Sequence, residues 1–503
     1  MGKRKIAKNT FASLFLQICT VICGFIVPKL ILSSYGSAVN GLVNSITQFL
    51  SFIALMDLGV GAVVISALYK PLADKNQNQI DCIVTSSDKF FRMIGRILFC
   101  YVVVLMVAYP FLVKKDFGFI YTATLIAAIS ISSFSQFYFG MTDRLILTAD
   151  QRGYIQYNAQ TITLIFNTLA CVVLIKIGCS IHIVKLATSL IYLARPIVLR
   201  AYINHNYRLN RRTKYEEEPI KQKWNGIAQH ISAVVLNDTD TVVLTALLTL
   251  SAVSIYSIYN LVVSGLKKLF ESSTNGIEAA LGEAWAKKEY GKCKRLFLSA
   301  EWFIHTLVTY VFTCTAILIV PFVKVYTKGI NDAEYAQPLF AILIVLAHTM
   351  HCYRLPYHIM VKAAGRYKET QSCYYVAAFL NLAISILAVK KWGLIGVAIG
   401  TLIAMIYQTI WMVIYNSKYL INETGKRFVK QMMINLLLFL GCYATLPLFI
   451  SLKSISFSGW IMMAIEVALL VAIIEIIVNI IFYRDFAGVF FNKLRKRKSE
   501  NDL

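Results

Sequence analysis

The sequence predicts an all-α polytopic membrane protein of about fourteen transmembrane helices, arranged as two halves of six with two further helices at the C-terminus. Three observations predict it. Of 503 residues 58% are hydrophobic and only 15% charged, whereas a soluble chain sits nearer half apolar and a quarter charged. The apolar residues fall into runs of about twenty, the length that crosses a hydrocarbon core of about 30 Å as helix. Basic residues alternate from one inter-span segment to the next. In lipid each backbone N–H and C=O needs an internal partner, so a spanning segment is a helix or part of a closed barrel. Runs this continuous exclude the barrel, whose strands alternate over short segments.

The runs place spans near 11–32, 40–67, 97–113, 119–140, 155–175, 181–201, 226–248 and 251–270. Six more follow near 298–323, 335–355, 372–389, 393–415, 431–451 and 457–483. The formal net charge of +24 would point to nucleic acid in a soluble chain. Here about 39 of the 50 Lys and Arg residues lie between alternate spans. They include Lys3, Arg4, Lys5 and Lys8, then Lys70, Lys75, Lys89, Arg92 and Arg96, then Arg208 through Lys223, Lys287 through Arg295, Lys426 through Lys430, and the tail Lys493 through Lys498. This positive-inside pattern sets the N-terminus in the cytoplasm, and an even number of spans returns the C-terminus to the same side. The partner of the basic tail is then the anionic membrane lipid surface, not nucleic acid. The apolar run after Lys8 is too long for a signal peptide, contains Pro28 and lacks a small-residue cleavage pattern, so it reads as an uncleaved first span. Ile6 occupies the position where myristoylation of Gly2 needs Ser or Thr. The eleven cysteines show no metal-ligand spacing, and no metal or cofactor is expected.

The longest charged interval, from Arg200 to Lys223, follows the sixth span and contains Glu216, Glu217, Glu218 and Pro219. It divides the chain into 1–205, a linker 206–223, a second half 224–417 and an addition 418–503. Ser37-Ala38-Val39 opens the second span and Ser251-Ala252-Val253 the eighth, where a parallel transporter repeat would place an echo. No inter-span segment is long enough for a folded domain. Chemistry at a membrane surface needs a platform that holds reacting groups, so a membrane polysaccharide polymerase or lipid-linked glycosyltransferase is the less favoured class.

Ionisable residues inside spans are costly and therefore functional candidates. Asp238 and Asp240 lie mid-way along the seventh span, about 200° apart on a helix, so they face different surroundings. A cavity role and a buried hydrogen bond that orders the bundle both fit Asp240. Asp57, in Met56-Asp57-Leu58-Gly59, is either a coupling residue or a helix-end group hydrated at the interface. Lys185 and Arg195 stand about 80° apart on the sixth span. Lys29 follows Pro28, and Arg354 sits beside Pro356 amid His348, His351 and His358, which form no recognised metal set. Arg and Lys in a sheltered cavity suit phosphate oxygens. Ser130, Ser132, Ser133, Gln136, Asn158, Gln160, Thr163 and Asn167 either hydrogen-bond sugar hydroxyls or let helices pack closely.

Several stretches resemble the oligosaccharide-lipid flippase branch of the MATE-like transporter superfamily, which includes bacterial O-antigen and capsule flippases. Leu55-Met56-Asp57-Leu58-Gly59 is similar to its aspartate-leucine-glycine element, and Leu145 to Tyr154 to its loop between spans four and five. Asn237-Asp238-Thr239-Asp240 with Val253 to Tyr259 resembles its seventh and eighth spans. Ala364 to Lys368, Asn381 and Gly393 to Thr401 complete the order. Of the paired aspartates, Asp240 matches the family position.

The resemblance implies two six-helix bundles around a central cavity plus two further helices, in the bacterial cytoplasmic membrane. It implies movement of an undecaprenyl-diphosphate-linked oligosaccharide to the outer leaflet by alternating access. The partners implied are that lipid and, in an assembly complex, a polysaccharide polymerase. On the physical reading, Lys29, Lys185, Arg195 and Arg354 are candidates to meet phosphate, and Asp57 and Asp240 to couple an ion or gate. The alternatives are a lipid II flippase or a cation-coupled drug exporter of the same superfamily.

Overall fold

The computed structural model describes residues 2–52, 58–220, 239–422 and 425–484, which form helices joined by short turns, with no strand among them. Eleven of the described helices are long and apolar enough to cross a membrane. Their outward faces are apolar as well: Phe166, Leu387 and Leu437 are all well exposed, as lipid-facing residues should be. The chain is a multi-pass membrane protein.

Eleven and fourteen differ for local reasons. Helix Gly2–Ser51 contains fifty residues, about 75 Å if straight, more than twice the hydrocarbon thickness. Gly36 breaks it with φ 82° and ψ 176°, a conformation that favours glycine. The two expected spans 11–32 and 40–67 thus begin as one helical run, and the second continues in Leu58–Ala73, which is short. The expected seventh span lies mostly outside the described residues. Helix Leu250–Ser273, the expected eighth, carries Lys267, Lys268 and Glu271 near its end, which lowers its apolar character.

Two compact units make up the chain, Met1–Ser257 and Ile258–Leu503. In the first, the part of Gly2–Ser51 beyond Gly36 packs against residues 239–254. Gly41 lies so close to Leu250 that a Cβ would sit 1.8 Å from its carbonyl oxygen. Asn40 donates to Ser254 Oγ at 2.8 Å, Ser45 pairs with Thr245 at 2.6 Å, and Tyr109 donates to Ser45 at 2.7 Å.

The echo in the sequence is a structural repeat. Helices Gln77–Leu112 and Tyr290–Tyr326 begin 213 residues apart, and Gly153–Lys176 and Tyr367–Trp392 begin 214 apart. The turns before them match bond for bond. Asn76 N–H bonds Pro71 C=O, and Glu289 N–H bonds Ala284 C=O; Arg152 bonds Leu147, and Arg366 bonds Val361. These are the six-to-one bonds that close a helix C-terminus. Each turn has one residue at positive φ: Lys75 (54°) and Lys288 (57°), Gln151 (56°) and Gly365 (70°). Three of the four are not glycine, so these caps hold a backbone that side chains normally avoid.

Candidate functional site

The first unit contains a cavity of about 490 Å³. Four helices build it: Gly2–Ser51, Phe119–Ser135, Gly153–Lys176 and Ile181–Asn206. Its polar walls come from Ser132, Ser133, Asn167, Lys185, Thr188 and Tyr192. Asn167 donates to the Tyr192 hydroxyl at 3.1 Å, and Thr188 returns its hydroxyl proton to Val184 C=O at 2.9 Å. Among the described residues Lys185 makes no hydrogen bond or ion pair, and no carboxylate lines the cavity. A sheltered ammonium with hydroxyl and amide neighbours has the chemistry that suits an anion.

Arg195 lies on the same helix at another level. Its Nε donates to Thr163 Oγ1 at 2.7 Å, and its guanidinium lies 3.9 Å from the centroid of Tyr192, a cavity wall. A cation over a ring contributes about 0.5–2 kcal/mol, so Arg195 fixes Tyr192 while lining a smaller pocket with Gln136, Gln156 and Gln160. The five-residue π-turn Gln136–Gly140 shapes one side of it. The structure therefore separates the two cations of the sixth span. Lys29 is half-buried; Val27 and Pro28, not Lys29, form the cavity wall. Ser130 bonds Ala127 C=O on its own helix at 2.9 Å and Asn158 is exposed, so neither reaches the cavity.

Asp240 is buried, and Tyr256 donates to its Oδ2 at 2.9 Å. Asp57 and Asp238 lie outside the described residues. In the second unit Arg354 is buried, with Nη2 donating to His351 Nδ1 at 2.9 Å, and His351 Nε2 in turn meets Glu271 Oε1 at 2.9 Å. His358 pairs with the Tyr374 hydroxyl at 2.6 Å.

Two features escaped the sequence reading. The segment 207–220, read as a linker, is strapped onto the first unit. Arg211 pairs with Asp88 at 2.9 Å and with Asp143, which Arg200 also meets at 2.7 Å. Asp81 accepts from Asn210 N–H at 3.1 Å, and Ser86 donates to Glu218. Burial works against the Arg211 charge, but the carboxylates of Asp143 and Asp88 outweigh it and hold the guanidinium above its ordinary value. At the 145–154 motif Asp150 joins Arg152 (2.8 Å), Lys5 (3.3 Å) and Tyr207 (2.5 Å). Burial and this carboxylate push the Tyr207 phenol up. The second omission is Glu301 and Glu475, two buried carboxyls inside apolar helices.

The 393–401 motif is explained by packing. A Cβ on Gly396 would lie 2.4 Å from the Ala388 carbonyl carbon, and one on Gly400 would lie 2.2 Å from Ser385 Oγ. Asn381 accepts from Ser385 at 3.1 Å and Thr401 at 3.4 Å across that contact.

No protein-family model matches the sequence, and no curated protein matches it. Solved structures do. The lipid II flippase MurJ in an inward closed conformation is 15% identical with a TM-score of 0.71, over 95% of this chain and 99% of that one. The fold is MurJ-like. An inward-facing multidrug resistance MATE family transporter of the MOP superfamily is 14% identical with a TM-score of 0.62, over 79% of this chain and 94% of that one. A MOP superfamily transporter from Pyrococcus furiosus is 12% identical with a TM-score of 0.55, over 83% and 96%. These neighbours are transporters and flippases, not enzymes, and at such identities the likeness is one of fold.

Proposed function

We propose that the chain is a flippase that moves undecaprenyl-diphosphate-linked oligosaccharide repeat units from the cytoplasmic to the outer leaflet for surface polysaccharide synthesis. The observation that carries this reading is the cavity of the first unit, whose described walls bring Lys185 together with hydroxyls and an amide and, among the described residues, no carboxylate. Diphosphate oxygens meet the ammonium, and sugar hydroxyls meet Ser132, Ser133 and Asn167. The MurJ-like fold supports a lipid-linked substrate. The internal repeat supports alternating exposure of the cavity to the two sides of the membrane. Both termini are cytoplasmic in this reading, and 1–205 and 224–417 are the two six-helix bundles. Arg354 is a second phosphate-seeking cation, and Lys29 and Arg195 support the first site. Asp240, already held by Tyr256, and Asp57 are the residues that couple an ion or gate.

An inside-negative potential of 100 mV favours carrying two negative charges outward by roughly 4.6 kcal/mol if they cross the whole field. Protein cations that travel with the substrate reduce that term. A cation exporter would need acidic cavity walls, and among the described residues this cavity has none.

The test is translocation of a diphosphate-linked oligosaccharide lipid in proteoliposomes, with lipid II in parallel vesicles. A charge-assisted hydrogen bond is worth about 1.5–3 kcal/mol, so Lys185→Ala weakens substrate about 10- to 150-fold. Arg195→Ala acts through Tyr192 and costs less. Preferential movement of lipid II reassigns the substrate. Export of cationic dyes without movement of either lipid refutes the flippase reading.

A further inference from the structure

The Glu271–His351–Arg354 chain has a feature that a static brace does not need. Arg354 donates to His351 Nδ1, so that nitrogen is an acceptor and the ring is neutral with its proton on Nε2, pointing at Glu271. The Nδ1 lone pair holds one partner at a time. Meanwhile Nε and Nη1 of the buried Arg354 find no hydrogen-bond partner among the described residues, nor does Nδ1 of neighbouring His348. Buried donors left open are costly and mark a place where a ligand belongs.

We propose that His351 is a proton-binding site that exchanges with Arg354: when an anion draws the guanidinium away, the freed Nδ1 takes up one proton. The hydrogen bond Nη2–H···Nδ1 is lost and a covalent Nδ1–H bond forms, the proton coming from a hydronium ion or buffer acid whose own bond to hydrogen breaks. The imidazolium then faces the carboxylate of Glu271, whose side chain is 43% exposed and open to solvent. Anion and proton therefore bind together, and by linkage each strengthens the other. The groups facing this ring are Glu271 and Lys267 from helix Leu250–Ser273, and His348, Arg354 and His358 from its own helix. From helix Tyr367–Trp392, Tyr374 and Cys373 face Arg354, and Tyr374 bonds His358. Arg354 occupies the Nδ1 lone pair, so its release to an anion is what admits the proton. The identity of the anion rests on the diphosphate-lipid reading; the exchange of proton and guanidinium does not.

Two measurements on the full chain in detergent separate these. Nitrogen NMR of histidine-labelled protein, with His351→Gln assigning one of the seven histidines, should show a neutral ring protonated at Nε2 at pH 7. In Arg354→Met the ring should titrate at least one unit higher, a tenfold gain in proton affinity. If that variant does not fold, Arg354→Lys gives a smaller shift in the same direction. A ring already doubly protonated in wild type, or one unmoved by either substitution, overturns the proposal. Calorimetric binding of undecaprenyl diphosphate in two buffers of different ionisation enthalpy should show uptake of about one proton in wild type and none in His351→Gln. Equal uptake in both overturns the assignment to His351. Absence of binding counts against the substrate reading and leaves the spectrum to decide the exchange.

Discussion

Replacing Asp143 by asparagine removes the charge on which the strap after helix Ile181–Asn206 converges. The Asp143 side chain is fully buried and pairs with Arg200 and Arg211. Removing one member of a buried ion pair costs about 3–5 kcal/mol, because the other charge is left unmatched. Two features reduce that here. Arg211 keeps Asp88 at 2.9 Å, and the Arg200 side chain is 30% exposed and can rehydrate. The expected loss is then about 2–3 kcal/mol, or roughly 4–12 °C in melting temperature for a body of this size. Asp88→Asn should cost less, about 1 kcal/mol, since Arg211 retains the more buried Asp143. The assay is thermal unfolding of the detergent-solubilised protein, with limited proteolysis of 207–220 as a local readout. A double-mutant cycle between Asp143→Asn and Arg211→Gln should give a coupling of at least about 1 kcal/mol. An Asp143→Asn protein that melts with wild type, or Asp88→Asn costing more than Asp143→Asn, refutes the idea that the strap is fastened at Asp143.

Gly41→Ala forces a Cβ onto the Leu250 carbonyl and should cost 2 kcal/mol or about that, read as loss of the monodisperse peak. Gly265→Ala meets nothing within 4 Å and should raise the melting temperature through helix propensity, by about 0.5–1 kcal/mol. Asn479→Leu leaves the indole N–H of Trp302 without its 2.9 Å acceptor and should cost about 1–3 kcal/mol. Glu475→Gln, which keeps the Asn479 contact, should be neutral or stabilising in the same melt. The hydrogen bond and charge of Lys287, 2.5 Å away, hold the Glu283 carboxyl below its ordinary 4.5. Its contribution is therefore present above 4.5 and lost as the pH falls through the lower folded value. Because the pair is fully exposed, Glu283→Gln should leave melting at pH 7 within about 1 °C of wild type.

The spans were legible because lipid imposes one length on every crossing helix, and the echo at Ser37 and Ser251 marked a repeat that the hydrogen-bonded turns display. The cavity was legible in part. Ser132, Ser133, Asn167 and Lys185 share it because they face inward from three different helices. Arg195 and Gln136 went elsewhere because a helical wheel gives azimuth but not which neighbour a face meets. The strap was not legible. Asp81, Asp88 and Asp143 lie more than sixty residues before the arginine and backbone that bind them, and no local pattern announces a pairing over that distance. Glu301 and Glu475 were overlooked because single carboxyls inside strongly apolar runs barely disturb the hydropathy that defines a span.

The repeat gives the strap a counterpart, and the comparison says what it is for. Asp88 and Asp143 precede Glu301 and Tyr357 by 213 and 214 residues, the same offset as the helices that carry them. In the second unit Tyr357 donates to Glu301, and Arg427, from the start of the helix that follows the repeat, lies 3.4 Å from the other Glu301 oxygen. In both units, then, an arginine C-terminal to the repeated helices returns to an acid on the long third helix, beside the 143 or 357 position. The residue types differ, two acids in one unit against an acid and a phenol in the other, while the connection is kept. A charge retained only for local stability would have no reason to recur with its partner drawn from the same point in each repeat. A fastening that ties the outgoing chain to the earlier helices of its own unit would. Removing the Glu301 charge by Glu301→Gln should accordingly loosen the second unit alone, seen as faster amide exchange confined to 420–430 and leaving 207–220 unchanged.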